Sequence, residues 1–186
     1  HCDWVSGGTL GCVHFSYPGL LEDVNIPIIG PGNTPPPVNI SPNGCFDASP
    51  LVGIPGPFQI TPMMNIDPLN GVSTWDMVLI SRHILGLQPL DSPYKIIAAD
   101  VNKNGIVTSF DIVEIRKLIL GTYYQFPNNK SWRFINQSQI FSDLANPFAD
   151  SLHESLPVVF FGNQPTQYTF TAIKIADVDN TVVVGN

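Results

Sequence analysis

At 186 residues, 12% of them charged and 44% apolar, the chain can bury one ordinary core or two small ones, which argues against separate cofactor and substrate domains. Its 15 acids outweigh 8 bases for a net charge of −7, and no Lys/Arg run offers a phosphate-binding surface, so nucleic acid is not an expected partner. No stretch approaches 18 uninterrupted apolar residues, so no membrane span is expected, and a surface this poor in charge suits a chain that lies against other chains.

His1 opens the chain without an initiator Met or an apolar leader, as expected of a processed secreted chain or of one segment of a longer protein. Residues 1–62 read as a β-rich module, with short β-prone runs at 13–17, 24–29, 45–46 and 58–61 between Gly and Pro. Within it, residues 31–37 hold four prolines and read as an extended arm. Cys2, Cys12 and Cys45 lack the spacing of a zinc site. In an oxidising compartment two of them should pair. Cys2 with Cys12 closes a short loop, worth about 3 kcal/mol by loop entropy, and leaves Cys45 as a buried thiol or bonded to another chain; the alternative pairs Cys45 with Cys12 instead.

Residues 63–122 change character. Asp76-Met-Val-Leu-Ile-Ser-Arg-His-Ile-Leu-Gly86 matches Asp111-Ile-Val-Glu-Ile-Arg-Lys-Leu-Ile-Leu-Gly121 at a spacing of 35 residues. Met77, Ile80 and Ile84, and then Ile112, Ile115 and Ile119, recur at helical steps, so each repeat is a short amphipathic helix whose apolar face should pack on the other. Gly86 and Gly121 stand where a left-handed cap would end each helix.

Each helix is preceded by an oxygen-rich loop. In Asp100-Val-Asn-Lys-Asn-Gly-Ile-Val-Thr-Ser-Phe-Asp111, side-chain oxygens fall at the first, third, fifth, ninth and twelfth places, Gly105 is sixth, and Ile106 is seventh, the place that gives a backbone carbonyl. This is the EF-hand arrangement, and it fits calcium better than the rigid octahedron of magnesium. The earlier loop, Asn65 to Asp76, is looser. Asn65, Asp67 and Asp76 keep the pattern, Leu69 can offer only its carbonyl, Asn70 takes the sixth, left-handed place, and Gly71 gives the seventh carbonyl. Two calcium ions are therefore expected. Ser73 with Asp76, and Thr108 with Asp111, are also capping boxes that need no metal, yet capping leaves Asp100, Asn102 and Asn104 unexplained.

Residues 123–186 return to strands, expected at 132–135, 158–161, 168–175 and 181–184, either as their own module or completing the N-terminal sheet. Asp177-Val-Asp-Asn180 echoes Asp100-Val-Asn, but no helix follows it in sequence, so it reads as a solvated turn. The fold class expected is α+β, with β-rich flanks around a calcium-binding helical centre.

No nucleophile with a base, phosphate loop or His-Glu-x-x-His pattern occurs, so no enzyme is expected. His153-Glu154 reads as a surface turn, and His1, His14 and His83 are scattered. Trp4, Trp75, Trp132, Tyr123 and Tyr124 make carbohydrate a rival ligand, although Trp75 and Trp132 read better as core.

The two repeats, each ending in Ile-Leu-Gly, resemble the duplicated calcium-binding segments of dockerin type I domains. With Phe170-Thr-Ala-Ile-Lys-Ile-Ala-Asp-Val178, they are similar to dockerin-like repeats in secreted surface proteins of Bacteroidota. The segments Gly44-Cys-Phe-Asp47 and Phe58-Gln-Ile-Thr61 resemble the end of a Cna-B-like, Ig-type sandwich. The resemblance implies non-covalent assembly outside the cell, with another extracellular protein as partner. It implies calcium ligands at Asn65, Asp67, Asp76, Asp100, Asn102, Asn104 and Asp111. Scarce charge, the proline-rich arm and β flanks too short to close add a second expectation, copies of the chain joined end to end in a cell-surface array or released fibre, with a monomer whose two flanks complete each other as the alternative. Asp150-Ser-Leu152 resembles an O-glycan acceptor at Ser151, and Asn129 and Asn136 head Asn-x-Ser sequons.

Overall fold

The computed structural model describes residues 10–16, 24–30, 44–47, 51, 56–158 and 166–184. Cys2, Trp4 and the proline-rich 31–37 lie outside these residues, and with them the expected Cys2–Cys12 bridge and the arm. The architecture is α+β. Strands β1 (Leu10–Phe15), β2 (Ile28–Ile29), β3 (Cys45–Asp47) and β4 (Gln59–Ile60) precede helices α1 (Thr74–Ile84), α2 (Pro93–Ala99) and α3 (Ser109–Ile119). Strands β5 (Trp132–Asn136), β6 (Leu156–Pro157) and β7 (Thr166–Lys174) follow.

The two β flanks share their sheets. One sheet runs β3-β1-β7-β5, with β1 parallel to β7 and the other pairs antiparallel. The other runs β2-β4-β6, all antiparallel. Val13, Phe46, Phe134, Tyr168 and Phe170 from the first sheet, Ile28 and Ile60 from the second, and Phe58 just before β4 meet in one apolar cluster. Cys12 and Cys45 are register partners on β1 and β3 with sulfurs 3.7 Å apart, and neither is a free thiol.

β7 positions the helices. It alternates as far as Ala172 and then becomes buried on both faces at Ile173, Lys174 and Ile175. A strand covered on both sides loses its alternation, and the cover here is the helical layer: Ile135, Ile173 and Ile175 pack with Ile80, Ile97, Val101, Ile115 and Leu118. α1 and α3 pack on each other as expected through Ile80 and Ile115, both fully buried. Ile84, expected on the same face, is 38% exposed because α1 ends there. Gly86 and Gly121 hold φ of 67° and 70°, and the amides of Leu87 and Thr122 donate back to Arg82 and Lys117, closing each helix in a Schellman cap.

Three expectations need correction. α2 does not appear among the sequence-derived elements, although Ser92 caps it and Pro93 opens it. The stretch 24–29 pairs only at Ile28–Ile29, with an isolated bridge from Asn25 to Met63. Residues 181–184 form no strand: Asn70 clamps them through its side chain, donating to the Val183 carbonyl (2.7 Å) and accepting from its amide (3.2 Å).

Candidate metal centre

Loop 100–111 closes on its own side chains. The carboxylate of Asp100 accepts from the amides of Asn104 (3.0 Å) and Gly105 (2.9 Å), Asn102 Oδ1 from Asn104 (3.1 Å), and Asn104 Oδ1 from Ile106 (3.0 Å). Asp111, three residues into α3, accepts from the amides of Asn102 (3.1 Å) and Thr108 (2.8 Å), which carries its carboxylate back across the loop. Gly105 supplies the turn at φ 80°. Asp100 and Asp111 are both buried, and burial chiefly, with the Asp111 charge adding and the Gly105 and Asn104 amides opposing, pushes the Asp100 carboxyl above its ordinary range. Carboxylates Asp100 and Asp111 and amide oxygens Asn102 and Asn104 form a hard, all-oxygen donor set. That set fits calcium.

The first loop is not assembled as its sequence spacing implies. Asn65 Oδ1 accepts from the Ser131 amide (2.9 Å) and its Nδ2 donates to Gln125, so the side chain is committed to the β5 end of the fold. The Leu69 carbonyl accepts from Val72 within a turn, and the Leu69 side chain is exposed. The Gly71 carbonyl accepts from Thr181 Oγ1 (3.0 Å). The left-handed residue is Gly71 (φ 78°) rather than Asn70, so Gly71 matches Gly105 and the first loop is one residue shorter. Asp67 is exposed at φ 41° and is not drawn toward Asp76 by any hydrogen bond among the described residues.

What does reach Asp76 comes from the far end of the chain. Oxygens of Asp76, Asp177 and Asp179 lie within 4.8 Å of one another, the first two residues fully or nearly fully buried. The turn 177–181 repeats the first half of loop 100–111. Asp177 accepts from the amides four and five residues on, Thr181 (3.0 Å) and Val182 (2.8 Å), as Asp100 does from Asn104 and Gly105. Asn180 holds φ 60° where Lys103 holds 58°. Asp76 occupies the place of Asp111: third in its helix, in a capping box with Ser73, and accepting from the amide of Val178 (2.8 Å). The Ala176 amide donates to the Ala98 carbonyl (2.9 Å), which sets Ala176-Asp177-Val178 beside Ala99-Asp100-Val101. The helix missing after Asp177 in sequence is thus supplied in space by α1.

The solvated-turn reading of 177–180 is therefore overturned. Burial chiefly, with Asp179 and Asp76 adding, pushes the Asp177 carboxyl up to about 6. Buried Lys174 stands nearby, its Nζ donating to the Pro68 carbonyl (2.8 Å), and burial lowers its ammonium to about 8 against the opposing pull of Asp177, Asp67 and Asp76. Three clustered carboxylates, two of them buried, are a second hard-cation donor set.

Other expected residues are scattered. Asn129 is buried with Nδ2 donating to the Asp100 carbonyl (3.3 Å), so this amide braces the loop and has no room for a glycan. Asn136 ends β5, half-buried, and Ser151 is exposed. Trp132 is buried, but Trp75 is 49% exposed beneath Arg82, 5.4 Å away, and is not a core residue. Tyr123 bonds Lys117 and Tyr124 is exposed. Glu154 is not part of a free surface turn: it pairs with buried Arg133 (2.7 Å) and with Lys103 (3.3 Å).

Residues 70–120 match the model of the Dockerin type I domain. The match starts at the second half of the first loop, the part whose Gly71 and Asp76 accept hydrogen bonds from the 177–181 turn. Neither a curated protein nor a solved structure matches the chain.

Proposed function

Taking residues 70–120 as a dockerin type I segment, we propose that the chain is a non-catalytic, calcium-dependent assembly module that works outside the cell. One calcium ion is held by Asp100, Asn102, Asn104, Asp111 and the Ile106 carbonyl. A second is held by Asp76, Asp177 and Asp179, so the first repeat borrows the front of its loop from the C-terminal turn. The observation that carries this reading is the matching bond pattern of the two sites, Asp100 and Asp177 each accepting from amides four and five residues on.

Dockerin domains bind cohesin partners, and a protein of that kind is the partner proposed. The helices offer the same exposed apolar positions twice: Trp75, Val78 and Leu85 in one repeat, Phe110, Val113 and Leu120 in the other. Arg82, Arg116 and Lys117 add positive charge on an acidic chain, which favours an apolar partner surface rimmed by carboxylates. The end-to-end fibre loses one of its three motives, the incomplete β flanks, since β1 pairs with β7 inside one chain. Native mass spectrometry tests the metal reading. Two calcium ions per chain are expected, falling to one in Asp177→Asn and to one in Asp111→Asn; a chain that takes up none would overturn it.

A further inference from the structure

Loop 100–111 has a charged neighbour on its outer side that no ligand list would include. Arg133, on β5, is buried, and its Nε donates to Glu154 Oε1 at 2.7 Å. The other carboxylate oxygen of Glu154 receives Lys103 Nζ at 3.3 Å, and Lys103 is the fourth residue of the loop. Arg133 is close enough for its charge to act on Asp100, against the burial that raises that carboxyl. Burial likewise works to raise the Glu154 carboxyl, and the Arg133 and Lys103 charges overcome it. Two positive charges thus flank a site proposed to take a divalent cation, and one carboxylate offsets them. Charges this close and partly desolvated are screened weakly.

We propose that Glu154 is a positioning residue that sets the calcium affinity of loop 100–111 without touching the ion, by neutralising Lys103 and Arg133 beside it. This rests on calcium occupying that loop. Removing the negative charge leaves both cations opposing the ion; removing Lys103 relieves part of that opposition. The two changes therefore move affinity in opposite directions, whereas a simple tether between Lys103 and Glu154 would lose affinity from either end.

The test is calorimetric titration of the full chain with calcium chloride, with melting in EGTA measured in parallel. Glu154→Gln, which keeps an acceptor for Arg133, should weaken the affected site about 10-fold, the low end of what outer residues of metal sites contribute. Lys103→Met, at an exposed position, should tighten it, and the double variant should recover part of the loss. Raising the salt should narrow the gap between wild type and Glu154→Gln. A fall in affinity for Lys103→Met, or a double variant as weak as Glu154→Gln, would overturn the charge mechanism, and Lys103→Met decides this even where Glu154→Gln does not fold. Wild type that binds calcium, with Asp111→Asn losing one ion and Glu154→Gln unchanged, sinks this inference alone. Wild type binding none sinks the calcium reading with it.

Discussion

Gly71 and Gly86 both hold left-handed backbone, yet they answer to different neighbours. A Cβ on Gly71 would lie 2.7 Å from Asp177 Oδ2 and from the backbone of Val182, while one on Gly86 meets nothing within 4 Å. Gly86→Ala should therefore cost only the left-handed penalty, about 1–2 kcal/mol. Gly71→Ala should cost more and also push the 177–182 turn away from α1. Thermal melts with calcium counting separate the two: loss of stability in both, loss of one ion only in Gly71→Ala. Equal effects would mean that the contact with the turn carries no weight. Glu154 gives a pH signature. Its carboxyl is held below its ordinary value, so its contribution is complete above the unfolded value of 4.5 and is lost as pH falls through the folded one. The difference in melting temperature between wild type and Glu154→Gln should be constant near neutral pH and shrink toward zero in acid.

Among the elements, β7 carries the most. Phe170 is fully buried at its centre, among side chains of both sheets. Phe170→Ala should cost about 3–5 kcal/mol, read as a shift in urea midpoint, whereas Ser73→Ala, which removes the cap of α1, should cost about 1 kcal/mol. The helices were legible because their signal is local and doubled: Asp76 to Gly86 and Asp111 to Gly121 each carry a start, an apolar stripe and a stop. The turn of loop 100–111 was legible for the same reason, its oxygen-bearing side chains being contiguous. α2 leaves little mark in the sequence because seven residues give too little periodicity, although Ser92-Pro93 is a usable start signal. The parallel pairing of β1 with β7 joins residues more than 150 apart and leaves no local mark. The echo at Asp177 was visible, but its helix could be found only in space.

At the scale of the whole molecule, the proposed calcium sites tie metal to fold. Helices of 11 residues are marginal alone, and buried carboxylates repel in the absence of a cation. EGTA should lower the melting temperature, and a melt unchanged by chelation would mean that the loops are caps alone. Truncation after Ala176 should remove one calcium ion and leave the other, since loop 100–111 is contiguous. Loss of both ions would mean that the repeats cannot stand separately.

The split of the first loop also orders events in time. Loop 100–111 has every donor within twelve consecutive residues and can close as soon as they are free, but Gly71 must wait about 110 residues for Thr181. At the roughly 5–20 residues per second of synthesis, that delay is on the order of ten seconds, during which α1 is made but has no loop to anchor it. On the proposed two-site reading, the second repeat is thus ready to fill first and the first repeat last. Closing the earlier loop marks completion of the chain through residue 181, so a product cut short of that point would be distinguishable by its calcium content.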